Sequence, residues 1–227
     1  MTATWPDDLV ERFRARRVAL FIGAGCSRSA GLPDWKGLLE ILRDRFRDRG
    51  TASDLDFVRL KGWWAKPENF PRIAKFFSDL NRDAYRNVME MVFDPVRAPS
   101  TRRPPRYFYY FPALGVSTIV TTNFDSLLED ADSRRHYNSL TWQDTEEFVR
   151  FLRDDRPLIF HFHGVARRSG TLVHTLDEYE KLKGPDGREA TDFLGRIFER
   201  NSVLFLGYSL RACFETRMEA GAMGKSW

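Results

Sequence analysis

Small and reactive polar side chains in this sequence gather directly after four short apolar runs. In a parallel sheet the carboxyl ends of the strands meet at one edge, and ligands bind at that edge. The spacing therefore predicts an active or binding site assembled from four separate segments. The runs are Val18 to Ile22, Thr118 to Val120, Leu158 to Phe162 and Val203 to Leu206, and the segments that follow them read GAGCSRSAG, TTNFD, HGVARRSG and GYSLRA.

The first of these segments, Gly23 to Ser27, could bind a phosphate. Glycines let the backbone approach a pyrophosphate closely, and the N–H groups of such a turn can hold it. However, the spacing is not G-x-G-x-x-G, because Arg28 stands in the place of the third glycine, and no Gly-Lys-Ser/Thr follows the turn. A tight strand-to-helix turn therefore explains this segment as well as a nucleotide site does. Cys26 could serve as a nucleophile there, but no neighbouring residue would act as its base.

The segments after the second and third runs contain an amide, a carboxylate and two histidines. Asn123 and Asp125 could each cap a helix that begins near residue 126, which is the simpler interpretation of either one alone. His161 and His163 alternate on a strand and so point to one face, but the sequence identifies no third metal ligand. We expect His161 to be packed or solvated, whereas His163 lies at the strand end, where a general base would be placed.

The elements that must position these residues follow a strand–helix alternation. Helical patterns separate the four apolar runs, which favours crossover connections and a parallel sheet. The stretch between the first two runs is too long for one crossover helix, and its apolar residues are spaced for buried helix faces. The sequence therefore predicts an α/β fold: a Rossmann-like parallel sheet flanked by helices, with a helical insertion over about residues 36–113.

Composition excludes several classes of protein. The chain has 227 residues, of which 42% are hydrophobic and 30% charged, as in ordinary globular domains. No apolar stretch approaches the roughly 20 residues that span a bilayer, and no secretory signal opens the chain. Only two cysteines are present, so a disulfide framework is excluded and a reduced, cytoplasmic protein is expected. The net charge of +4 is weak evidence for nucleic-acid binding.

Together the segments resemble a known family. GAGCSRSAGLPDW, TTNFD, FHG and LGYSL, in this order, resemble the motifs of sirtuin-type NAD+-binding domains, and most closely those of the sirtuin-like domains of bacterial anti-phage systems. Deacetylating sirtuins carry a zinc module built on four cysteines after the histidine motif. Here only Cys213 follows His163, so that module is missing and no metal is expected. The resemblance covers most of the chain, and we interpret residues 1–227 as one sirtuin-like domain.

The resemblance implies hydrolysis of NAD+ to nicotinamide and ADP-ribose by an anti-phage effector that depletes the cell of NAD+. It implies that Asn123 orients the ribose and the attacking water, and that His163 is the general base. Asp34 and Asp125 would hold the nicotinamide end. The residues that it assigns to the pyrophosphate and the adenosine side are Gly23, Ala24, Gly25, Ser27, Gly207 and Ser209.

Partners and alternatives remain open at this stage. The resemblance implies a homo-oligomer or a complex with a sensor protein, and no membrane association. An NAD-dependent protein deacylase and a non-catalytic module that binds NAD or ADP-ribose are the alternatives. Arginines followed by aromatic residues over Arg97 to Phe111 could bind nucleic acid, but a packed helix with a basic start explains them better. Arg211 to Cys213 stands where members of the family often carry an acidic residue. The chain ends about one helix after the GYS motif, so we expect a truncated or minimal domain.

Overall fold

The computed structural model describes residues 5–94 and 102–208. These residues form an α/β fold in which helices alternate with short strands. The strands are β1 (Val18–Ile22), β2 (Thr118–Thr121), β3 (Asn138–Thr141), β4 (Leu158–His161) and β5 (Ser202–Leu206). The helices are α1 (Asp7–Arg14), α2 (Ala24–Ser27), α3 (Trp35–Asp48), α4 (Asp54–Leu60), α5 (Phe70–Leu80), α6 (Arg82–Phe93), α7 (Leu127–Ala131), α8 (Thr145–Asp154), α9 (Leu176–Lys183) and α10 (Arg188–Arg200).

The five strands form one parallel sheet in the order β3-β4-β2-β1-β5. This arrangement confirms the predicted fold class. The sequence predicted only four strands, because β3 is short, begins with two exposed polar residues and lies at the edge of the sheet. Only its last two residues, Leu140 and Thr141, are buried, so it lacks the continuous apolar run that revealed the other four, including β5 at the opposite edge.

Helices cover both faces of the sheet, and β1 contributes to the core on each side. Val18, Leu20 and Ile22 pack with the helices that follow β1, whereas Ala19 and Phe21 pack with α8, α9 and α10. This alternation follows from the two-residue period of a strand. All five residues of β1 are buried, which is why the strand reads as an unbroken apolar run.

The described part of the chain between β1 and β2 is helical, as predicted. It contains α3, α4, α5 and α6, followed by a short 3₁₀ helix over Arg106–Tyr110. The helix that begins at Leu176 has a capping box, in which Thr175 and Glu178 satisfy each other's backbone N–H groups. Within the described ranges, no helix has both the length and the apolar character needed to cross a membrane.

Candidate active site

Three of the predicted site residues meet in one buried cluster at the carboxyl ends of β1 and β2. The Ser27 hydroxyl donates a hydrogen bond to Asp125 Oδ2 at 2.9 Å, and Asn123 Nδ2 donates to Ser27 Oγ at 3.0 Å. All three side chains are less than one-tenth exposed. Because the two segments lie almost one hundred residues apart in the chain, the parallel pairing of β1 with β2 is what brings them together.

Asp125 has two roles at once. Its Oδ1 accepts a hydrogen bond from the backbone N–H of Leu127 at 3.1 Å and so caps the start of α7, as the simpler interpretation predicted. Its other oxygen holds Ser27. Burial raises the pKa of the Asp125 carboxyl, and the hydrogen bonds from Ser27 and Leu127 and the charge of His161 oppose that rise.

The glycine turn packs directly against the end of β5. The N–H of Gly23 donates to the carbonyl of Leu206 at 2.9 Å, and the N–H of Gly25 donates to the carbonyl of Gly207 at 2.8 Å. A Cβ atom on Gly23 or Gly25 would lie 2.6 or 2.7 Å from the Gly207 oxygen, so neither position admits a larger residue without displacing backbone. Glycine is thus required at both positions because the backbone of the turn lies in contact with the backbone at Gly207. The N–H groups of Gly23 and Gly25 already donate to backbone carbonyls of the chain. Phosphate binding by Gly23, Ala24 and Gly25 stays a prediction.

Cys26, within the same turn, is buried and unpaired. Burial raises the pKa of its thiol, and a hydrogen bond from Tyr107 only partly offsets this. The thiol form is therefore favoured, which argues against a nucleophilic thiolate. The Tyr107 hydroxyl also donates to the Cys26 carbonyl at 3.0 Å, so the segment before β2 holds the turn in place.

His163 lies just beyond β4, buried beside Tyr179. Its Nδ1 is 3.5 Å from the Tyr179 hydroxyl, and the two rings meet edge to face. Burial lowers the pKa of His163 to about 3, so the imidazole is neutral at pH 7. Among the described residues, no hydrogen bond joins it to the cluster of Ser27, Asn123 and Asp125.

The other predicted site residues lie elsewhere. Asp34 is half exposed, caps α3 through a 2.9 Å hydrogen bond from the Gly37 N–H, and lies 3.9 Å from the Arg28 guanidinium. Its contact with nicotinamide stays a prediction. Gly207 is placed beside the glycine turn, and Ser209 lies outside the described residues.

The sequence did not reveal a buried ion pair that contacts the backbone of Asn123. His161 is completely buried, which is the packed one of the two expected alternatives, and its Nε2 lies 2.7 Å from Glu129 Oε1 on α7. Ser139 on β3 donates to the same oxygen at 2.6 Å. Burial alone would raise the pKa of Glu129, but the charge and hydrogen bond of His161 prevail and lower it to about 2. Only the alternation of His161 with His163 hinted at this pair, and nothing in the sequence pointed to Glu129.

A third buried histidine, His174, joins the helical insertion to the loop after β2. Its ring stacks on Trp35 with a centroid distance of 4.1 Å, contacts the Tyr85 hydroxyl through Nδ1, and meets the edge of Phe124. Phe124 lies between Asn123 and Asp125 in the chain. The insertion is therefore packed against the segment that carries two of the cluster residues. Burial lowers the pKa of His174 to about 3, and its Nε2 has no partner.

The sequence placed His161 and His163 on one strand as a possible His-x-His metal pair, but β4 ends at His161 and His163 lies beyond it. Within residues 5–94 and 102–208, no group of three or more histidine, cysteine, aspartate or glutamate side chains is arranged to hold an ion. Both ring nitrogens of His161 already face protein acceptors, namely Glu129 and the Asn123 carbonyl.

Comparison with known proteins agrees with this architecture. Residues 117–213 match the SIR2-like domain. The chain is 24% identical over 191 residues to NAD(+) hydrolase ThsA of Cytobacillus dafuensis. This alignment covers 84% of the chain and 35% of that protein. It is 25% identical over 203 residues to NAD(+) hydrolase ThsA of Acinetobacter baumannii (strain 532279), which covers 89% of this chain and 38% of that protein. The aligned region thus spans little more than a third of either relative. The match over residues 117–213, together with the parallel sheet and its ordered motifs, confirms the predicted resemblance to the sirtuin-like family.

Proposed function

We propose that this chain hydrolyses the nicotinamide–ribose bond of NAD+ and releases nicotinamide and ADP-ribose. The observation that carries the proposal is the buried cluster of Ser27, Asn123 and Asp125 at the carboxyl ends of two adjacent parallel strands, where such sheets bind their ligands. The similarity to two proteins named NAD(+) hydrolase supports the same reaction.

The hydrogen bonds of the cluster determine which way the Asn123 amide faces. The Ser27 hydroxyl has a single hydrogen, and it donates this hydrogen to Asp125 Oδ2. Ser27 Oγ must then accept from Asn123, which assigns the NH2 group to that side. The amide oxygen is left to accept a hydrogen bond from a ribose hydroxyl or from the attacking water. A reactant held by such a fixed acceptor reacts faster because its orientation is already set.

His163 would receive the proton of the attacking water. A neutral imidazole with a pKa of about 3 is a weak base, and protonating it at pH 7 costs about 5 kcal/mol. Cleavage of the glycosidic bond builds positive charge on the ribose, and a water that adds to this cation becomes strongly acidic. A weak base is therefore sufficient once the bond has begun to form. For Nε2 to accept the proton, Nδ1 must carry the ring hydrogen, and the Tyr179 hydroxyl oxygen is placed to accept it.

The remaining residues would bind the substrate. Asp125 and Asp34 would hold the nicotinamide end, and the Asp125 carboxylate would also favour positive charge on the ribose. The pyrophosphate and adenosine side would be bound by Gly23, Ala24, Gly25, Ser27, Gly207 and Ser209. The packing of Trp35 and Tyr85 around His174 supports a role for the helical insertion in shielding the reaction from bulk water. As a hydrolase the chain would deplete NAD+ in a cytoplasmic anti-phage response, as a homo-oligomer or with a sensor protein.

The test is release of nicotinamide from NAD+ by the purified chain, with Asn123→Ala and His163→Ala as the informative variants. His136→Ala is the matched control, because His136 is exposed. We expect the wild type and the control to release nicotinamide, and both site variants to lose at least about 100-fold in rate while they still melt cooperatively. A folded wild type that binds NAD+ without cleaving it would favour the non-catalytic binding module. Release that requires an acyl-lysine peptide would favour the deacylase.

A further inference from the structure

The buried pair of His161 and Glu129 presents an unusual arrangement of acceptors. His161 Nε2 faces the Glu129 carboxylate at 2.7 Å, and His161 Nδ1 faces the backbone carbonyl of Asn123 at 3.3 Å. The ring is completely buried, and Glu129 is further held by Ser139. The Asn123 carbonyl has no hydrogen to donate, and neither has the Glu129 carboxylate, because its pKa of about 2 leaves it ionised at neutral pH.

Two acceptors on opposite ring nitrogens require a ring with two hydrogens. A neutral imidazole carries one N–H, so either tautomer would direct a nitrogen lone pair at an oxygen lone pair in a completely buried site. Only the imidazolium donates on both sides. The charged groups that face the ring are Glu129 on α7 and Asp125 in the loop after β2, and both favour the cation.

We propose that His161 is a positioning residue for the Asn123 amide: as an imidazolium fixed by Glu129, it holds the backbone carbonyl of Asn123 and so sets where the side-chain amide lies. The Asn123 segment is then fixed from two sides, by Ser27 at the side chain and by His161 at the backbone. The kinetic part of this inference rests on the proposed NAD+ hydrolysis, whereas the protonation state of the ring does not.

The charge balance suits a reaction that builds positive charge. A lone buried cation near the ribose would oppose the transition state, but the pair of His161 and Glu129 has no net charge. Its cation also favours the ionised form of the buried Asp125 carboxyl, on which the hydrogen bond from Ser27 depends. The pair can therefore order the site without opposing bond cleavage.

The protonation state can be measured directly by ¹H–¹⁵N NMR of the histidine rings in the full wild-type chain, which has four histidines. At pH 8 we expect one imidazole with both nitrogens protonated, and we expect it to disappear in Glu129→Gln. If every ring of the wild type is neutral at pH 8, the proposal is overturned. This experiment requires neither NAD+ nor activity, so its result is independent of whether the chain hydrolyses NAD+.

The positioning role is tested by separating binding from turnover. In His161→Gln we expect kcat for nicotinamide release to fall about 100-fold, while the Kd for NAD+ stays within about threefold of the wild type. His136→Gln is the matched control for loss of a histidine and should leave both unchanged. A parallel loss of binding and turnover, or no loss of turnover, would overturn the positioning role. If His161→Gln does not fold, Glu129→Gln is the second variant, with the same expected split.

Discussion

Replacing Gly164 with alanine tests how the loop that carries His163 is built. Gly164 has φ +78°, a conformation that alanine adopts only at a cost of about 1 to 2 kcal/mol. In addition, the new Cβ would lie 2.1 Å from the carbonyl oxygen of Thr171, which is far inside a normal contact. The backbone at Gly164 or the backbone at Thr171 must therefore move by about 1 Å before the methyl group fits.

The Thr171 backbone cannot move away freely. The Trp142 indole donates to the Thr171 carbonyl oxygen at 2.6 Å, and the Val165 N–H donates to the Thr171 hydroxyl at 3.1 Å. Overpacking a site of this kind costs about 1 to 3 kcal/mol. Together with the backbone strain, Gly164→Ala should lower the free energy of unfolding by about 2 to 5 kcal/mol.

Gly31 provides a matched control for this substitution. It has the same φ of +78°, but a Cβ added there would meet nothing within 4 Å. Both substitutions restrict the unfolded chain equally, so that contribution cancels in the comparison. We expect urea denaturation, followed by tryptophan fluorescence, to show Gly164→Ala less stable than Gly31→Ala by about 1 to 3 kcal/mol. Equal losses for the two variants would refute the collision and show that strain at positive φ accounts for the whole effect.

Two further predictions concern the buried polar groups. Ser27→Ala leaves a buried carboxylate and a buried amide without their shared partner, so we expect a loss of about 3 kcal/mol in the free energy of unfolding. The exposed Ser29→Ala should cost much less, and equal losses in urea titrations of the two variants would contradict the network. His174 has a pKa of about 3 in the folded chain and a higher one when unfolded, so protons favour the unfolded state as the pH falls below about 6.5. His174→Phe removes this contribution and should unfold at lower pH than the wild type by circular dichroism, and an unchanged midpoint would argue against a buried neutral ring.

Much of the fold follows from the sequence because the governing signals are local. A central strand covered on both faces must be apolar at every position, and β1 is. The capping box at Thr175 satisfies helix N–H groups within four residues of chain, so it too can be predicted without tertiary structure. Gly23 and Gly25 were predicted to be required by a close approach, but the group that approaches is the Gly207 backbone.

The site depended on contacts between distant segments. The sequence predicted that Ser27 and Asp125 lie at the same edge of the sheet, because each follows a parallel strand. It did not predict their hydrogen bond, because that contact requires the register of β1 with β2. The ion pair of His161 with Glu129 had no sequence signal beyond the alternation of His161 with His163, since it joins β4 to α7, 32 residues earlier in the chain. The neutral state of His163 was equally beyond prediction, because burial by distant elements is what lowers its pKa. The sequence by itself determined which side chains stand at the strand ends, and the tertiary structure decided their partners and charges, because both depend on which segments exclude water from them.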